Sequence, residues 1–345
     1  MEYKEEIKNC QNCKKDFTIE PDDFSFYEKI KVPPPTFCSE CRMIRRMAWR
    51  NERVLYKSKC NSCDGNIISM YDPIRIKKIY CDKCWWGDKW DGIEYAVDYD
   101  FKKSFFLQWV QLLSKVPLIQ AWRFNNIKSD YINYATEDKN CYLSYSVVGC
   151  ENVFYSYAID KSQDTFDSTF ILKSNKCYEN IDSQNNYNSI FLKNSNNCID
   201  SGFLFDCANC QNCFLSSNLR NKKYIFKNKQ FNKEEYELEI SKTKINDYLF
   251  LQKYYDEFCK KIYKNAIYRF AQIINGHKCS GDNIENSKNI TNSFNVYDSE
   301  NERYVVRAGK TKDCMDVYGV FENELTYESI APSFKGSNVQ FSINN

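Results

Sequence analysis

The sequence predicts a mainly β protein with small α parts, in which an N-terminal cysteine-paired module precedes a parallel β-solenoid interrupted by a helical insertion. Three observations predict it: eight cysteines in four C-x-x-C pairs before Trp85, an Asn/Ser/Cys motif recurring at a nearly constant spacing, and helical periodicity between two runs of that motif. The corresponding segments are 1–99 for the module, 100–126 for a connecting amphipathic helix, 127–228 for the first repeats, 229–276 for the insertion and 277–345 for further repeats.

Composition narrows the chemistry. At 345 residues, with 43% hydrophobic and 27% charged residues, the chain has the make-up of ordinary globular domains. No uninterrupted apolar run approaches the roughly 18 residues that span a bilayer. The opening MEYKEEIKNCQNC lacks the apolar core of a secretory signal, so the expected compartment is the cytoplasm and no membrane partner is expected. The chain has one histidine, His277, which leaves little scope for imidazole acid/base work. Any metal must therefore be held mainly by sulfur. With 48 basic and 46 acidic residues the net charge is +2, too small to draw the whole molecule to a polyanion.

The four pairs are Cys10/Cys13, Cys38/Cys41, Cys60/Cys63 and Cys81/Cys84. A C-x-x-C turn presents two thiolates on one side of a knuckle, and two knuckles supply the four tetrahedral ligands that Zn²⁺ prefers. The gap from Cys63 to Cys81 fits a zinc ribbon, and the gap from Cys13 to Cys38 is slightly long for one. Sequential pairing gives two Zn²⁺ ions, each held by four cysteines, in a double zinc-ribbon-like module. Since the gap from Cys41 to Cys60 is of ribbon length as well, other pairings, including a cross-braced one, suit the spacing too. Dithiol redox chemistry and an iron–sulfur centre are the competing uses of such pairs. Four cysteines close the coordination sphere, so a catalytic zinc with an open water site is disfavoured.

After Pro33, Pro34 and Pro35, which favour an extended entry into the second knuckle, comes the one strongly basic stretch, RMIRRMAWRNERVLYKSK. In a helix, Arg42, Arg46, Arg50 and Arg53 share one face, with Arg45 and Trp49 nearby and Met43, Met47 and Val54 on the adjoining face. Such a stripe could track nucleic-acid phosphates, with Trp49 stacking on bases. Alternatively, the arginines answer acidic side chains of the same domain, such as Asp88, Asp91, Glu94, Asp98 and Asp100. Downstream, Phe105, Phe106, Trp109, Leu112 and Leu113 follow helical spacing up to Pro117, read as packing that joins the module to the repeats.

The repeat is Ser/Cys-x-Asn/Asp-Cys/Thr/Val-aromatic-x-Ser/Asn. Its copies place Cys141, Val153, Thr165, Cys177, Asn186, Cys198 and Cys210 at steps of 12, 12, 12, 9, 12 and 12. Fixed-period similarity marks a stacked architecture. One such step extends to at most about 40 Å, which predicts that one motif forms a half-coil if Phe and Tyr point inward. Cys207, Cys210 and Cys213 resemble a metal motif, but the first two fall on repeat positions, with Cys150 matching Cys207 and Cys141, Cys177 and Cys198 matching Cys210, so a buried cysteine ladder is the simpler account and a third metal site the alternative. The repeat stops near residue 228, two helices follow, with Tyr255, Phe258, Ile262, Ala266 and Ile273 on one face, and Gly276 ends the second. It resumes with Ile290, Glu302 and Cys314 at the same step. The last copy lies at the C-terminus without an evident cap, which predicts either that the chain is a fragment or that this end meets a partner edge to edge.

These features resemble a group of uncharacterised bacterial proteins from uncultured small-genome lineages. In that group a tandem C-x-x-C module with phrases like FCSECRMIRRMAWRNE and YCDKCWW precedes Cys/Asn-rich repeats and a phrase like NLRNKKYIFKNKQFNKEEYE. The resemblance implies the architecture and brings no activity. The leading functional expectation is a non-catalytic zinc-binding scaffold or recognition protein with a macromolecular partner, nucleic acid through the basic segment or else protein. A carbohydrate-active β-helix enzyme is the alternative. It would need paired carboxylates; Asp160, Asp164 and Asp167 are close in sequence, but Asp164 and Asp167 sit where other polar residues also occur, which favours turn chemistry.

Overall fold

The structure, a computed structural model, describes residues 3–76, 78–331 and 335–343. It divides the chain into two compact units. One combines residues 1–51 with 268–345, and the other is 52–267. The expected single module over 1–99 is thus shared between two bodies, each containing one cysteine group and one run of repeats.

Both repeat runs are parallel β-solenoids, with one correction to the expected coil. Strand partners are residues i and i+12, as in Tyr145↔Tyr157↔Thr169 and Val153↔Thr165↔Cys177. One repeat step therefore makes a complete turn rather than half of one. The backbone explains how so short a turn closes. From Tyr134 to Lys227 every third residue has positive φ, and the same holds from Asn283 to Ala331. Four such corners carry the chain around a square, with a corner at every third position. For non-glycine residues this conformation costs about 1–2 kcal/mol, least for Asn and Asp, which accounts for the many Asn and Asp at corners. Corner side chains also join coil to coil, as where Asn140 donates to Asn152 and Asn152 to Asp164, both at 2.7 Å.

Between corners, the buried residue of each side points inward. In the first solenoid these positions run every third residue from Ile132 to Ser216. They hold Ser, Cys, Thr, Asn, Val, Ile, Leu and the like, small enough for a narrow interior. Phe and Tyr face outward instead: Phe154 and Phe166 stack in adjacent coils with centroids 5.0 Å apart. Removing the large aromatics from the interior is what permits so tight a turn. The step of 9 from Cys177 to Asn186 is a shift by one side of the square, since Cys177 itself stacks on Ser189.

Interior serines complete the hydrogen bonding. Ser156 Oγ donates to the carbonyl of Phe154 and accepts from the N–H of Ser168, one coil onward. Repeated along the column, this gives inward backbone N–H groups an acceptor where water cannot reach.

Helices α1 (Pro21–Ile30) and α2 (Ser39–Met47) belong to the first unit. The second contains α3 (Asp82–Trp85), α4 (Phe105–Leu113), α5 (Lys233–Ser241) and α6 (Tyr248–Glu257). The expected insertion is present, though its second helix ends in a π turn over Phe258–Tyr263. Ile273 is a strand residue paired with Ile284, not part of the helical face. The inserted helices cover outward aromatics of the first solenoid: Phe258 packs on Phe203 and Tyr254 on Phe214, at 5.9 and 5.5 Å between centroids. Helix α4 departs further from expectation, because none of its residues is buried. Among the described residues no helix is long and apolar enough to cross a membrane.

Candidate metal centres

The two cysteine groups are built alike. In the first, an antiparallel hairpin of Glu6–Asn9 and Asp16–Ile19 places Cys10 and Cys13 in its turn. Cys38 then caps α2 and Cys41 lies in its first turn. In the second, the hairpin of Tyr56–Lys59 and Asn66–Ser69 carries Cys60 and Cys63, while Cys81 caps α3 and Cys84 lies within it. The loop hydrogen bonds match as well. Lys14 N–H donates to the Cys10 carbonyl at 3.0 Å and Asp64 N–H to that of Cys60 at 2.9 Å, with both donors at positive φ. The groups are two copies of one ribbon design. The paired phrases NCQNC and KCNSC are the sequence signal of that duplication.

The connectivity is sequential. The sulfurs of Cys10, Cys13, Cys38 and Cys41 all lie within 4.8 Å of one another, as do those of Cys60, Cys63, Cys81 and Cys84. Tetrahedral bonds of about 2.3 Å require sulfurs about 3.8 Å apart. Cys13 and Cys38 are separated by 3.8 Å and Cys63 and Cys81 by 4.0 Å, so the donor sets fit a tetrahedral ion such as Zn²⁺.

Backbone amides prepare these sulfurs for a cation. Cys38 N–H donates to Cys10 Sγ at 3.3 Å, Cys81 N–H to Cys60 Sγ at 3.2 Å, and the Asn12 side chain to Cys41 Sγ at 3.3 Å. Burial opposes ionisation of Cys10 and Cys60, but the N–H donors outweigh it and bring them down to about 6 and about 7. Burial and the neighbouring sulfurs push Cys38 and Cys81 up to about 12. Four thiolates so close cannot all ionise without a positive charge among them, which a divalent ion held by the four sulfurs would supply.

Each group is tied to the repeats of its own unit. In the second, Ile79–Tyr80 pairs in parallel with Leu118–Ile119, and Asp82 accepts from Gln120 at 3.1 Å and Arg123 at 2.7 Å. In the first, α2 meets the strands Lys312–Phe321 and Glu324–Ile330 through ion pairs.

Those ion pairs take the centre of the expected phosphate-tracking stripe out of solvent, which corrects that expectation. Arg42 and Arg46 are buried. Arg42 Nε lies 2.8 Å from Asp316, Arg46 reaches Asp316 at 3.2 Å and Glu328 at 3.1 Å, and Arg45 reaches Glu328 at 2.7 Å. The helix ends at Met47, before Arg50 and Arg53, which lie over the rings of Tyr318 and Tyr157. Trp49 stays in solvent, and Arg45 and Arg53 keep part of their surface there. The face is inverted relative to its pattern, with Met43 and Ile44 outside and Arg42 and Arg46 inside. The acids at 88–100 are not the partners; Asp316 and Glu328, which no local signal connects to these arginines, take that role.

Cys207, Cys210 and Cys213 do not form a further ligand set; among the described residues only the two N-terminal groups meet the spacing. Their sulfurs take the serine role, donating to the carbonyls of Phe205, Ala208 and Gln211. In register, Cys198 stacks on Cys210, as the motif alignment has it, whereas Cys177 stacks on Ser189 and so does not share the Cys210 column. The candidate carboxylates are turn residues: Asp164 and Asp167 occupy positive-φ corners, and Asp164 accepts from Asn152. Comparison with family models and with curated proteins finds no match to the chain.

Proposed function

We propose that the protein is a non-catalytic scaffold in which two structural zinc ribbons each brace a narrow solenoid for recognition of a protein partner. The observation that carries this is the pair of closed four-sulfur sets, Cys10/Cys13/Cys38/Cys41 and Cys60/Cys63/Cys81/Cys84. Zinc would neutralise and join the four thiolates of each set, and no ligand position would remain for a reacting water. Each ribbon fastens segments that are short and weakly self-supporting to a stacked body whose coils need neighbours for stability.

Protein is favoured over nucleic acid as partner because Arg42 and Arg46 are engaged by Asp316 and Glu328. A reducing compartment such as the cytoplasm suits eighteen free thiols, eight of them ligands. The last described strand, Ser337–Gln340, is where edge-to-edge association would occur. The kinship with repeat proteins of small-genome bacteria belongs to the same proposal.

Metal analysis of protein purified without added zinc tests the reading. About two zinc ions per chain are expected, one lost with Cys10→Ser and the other with Cys60→Ser. Protein that folds fully with no bound metal would refute it.

A further inference from the structure

Helix α4, Phe105–Leu113, reads FFLQWVQLL and carries no charged residue. Gln108 and Gln111 share one side, and the broad apolar face opposite them is of the kind ordinarily buried, while a helix this short is not stable alone in water. Yet Phe106 is 76% exposed, Val110 63%, Phe105 55% and Leu107 50%, and the preceding Phe101 is 92% exposed. The helix is nevertheless well formed. Ser104 caps it, and Gln108 anchors it by accepting from Asp100 N–H and donating to the Asp100 carbonyl.

We propose that α4 is the contact surface for a second copy of this chain, independently of the zinc reading. Phe106, Val110 and Leu113 fall at i, i+4 and i+7 and form one stripe. Meeting the same stripe of another copy about a two-fold axis buries both. Two features select this occupant. Phe105, Phe106, Trp109, Val110 and Leu113 share this face and are all exposed; they offer on the order of 500 Å² per copy, so that two copies together reach the roughly 1,000 Å² that a specific interface needs. Between Ser104 and Ser114 there is no charge, so self-contact brings no like charges together at its centre. A lipid surface is a poorer match, because surface-seeking helices present a cationic polar face. Here Lys103 is already paired with Asp100 at 3.1 Å, and Asp88, Asp91, Glu94 and Asp98 precede it.

Sedimentation equilibrium of the zinc-loaded full chain tests the proposal. A dimer is expected at micromolar concentration, weakened roughly hundred-fold by Phe106→Asp combined with Val110→Asp. Circular dichroism and metal content are expected to stay those of the wild type. A photoreactive residue in place of Leu113 should crosslink two chains. A monomer at all concentrations would overturn the proposal, as would a dimer untouched by the double substitution. So would a monomer that co-sediments with lipid vesicles through α4.

Discussion

Arg42 Nε and the Asp316 carboxylate stand 2.8 Å apart, with both side chains closed off from solvent. Glu328 completes the arrangement by holding Arg46 and Arg45. A guanidinium in such a place is structural. Arg42→Ala leaves a buried carboxylate short of a partner and is expected to cost about 3–5 kcal/mol. Replacing Arg42 and Asp316 together should cost less than the sum of the single changes, which a double-mutant cycle in urea would measure. Additive losses would show that the pair is not coupled.

Zinc removal should act ribbon by ribbon. Cys60→Ser is expected to release one equivalent of metal and raise amide exchange in the hairpin Tyr56–Ser69, while the Cys10 group keeps its ion. Exchange monitored by mass spectrometry at peptide level reads both outcomes. Loss of both ions from the single change would contradict two self-contained sites.

Two interior carboxyls predict a pH dependence. Burial pushes Glu302 up to about 8 from the usual 4.5, and Asp138 up to about 7 from 3.8. Below the ordinary value both folded and unfolded forms are protonated. As pH rises the unfolded chain ionises first, so the stability associated with Glu302 declines from about pH 4.5 and is lost by about pH 8. Glu302→Gln should flatten its share of that decline and be more stable than wild type at the alkaline end. Equal slopes in urea titrations of the two proteins would count against a neutral buried Glu302.

Serine should replace interior cysteine with little effect. Cys210 Sγ donates to the Ala208 carbonyl, a bond that a hydroxyl makes equally well, as Ser216 does with Phe214 at 2.9 Å. Cys210→Ser is expected to change stability by less than about 1 kcal/mol and to leave bound zinc unchanged. Cys210→Val removes the hydrogen bond and should cost about 1–3 kcal/mol. A drop in metal content in either variant would reveal a role for that sulfur that the two ribbons do not explain.

Much of the fold is legible in the sequence because its signals are local. C-x-x-C spacing encodes a knuckle, and strict repetition of Asn, Ser and Cys encodes stacking. Coil size is not legible in the same way, because a sequence shows that aromatics recur but not which way they point. Once the third-residue corners turn Phe154 and Phe166 outward, a single repeat step suffices for a whole coil. The arginines mislead for a related reason. A helical stripe identifies a shared face and is silent on whether that face meets solvent or, as for Arg42 and Arg46, acids far along the chain.

The chain alone determined the candidate ligand residues, the period of the repeat and the place of the helical insertion, since these depend on chemistry carried within a few residues or on a regular recurrence. Tertiary structure decided which cysteine pairs come together, which repeat run each ribbon joins, and that the basic helix turns inward. Those outcomes depend on contacts between distant segments, where burial and charge pairing are set by whatever the rest of the fold brings near.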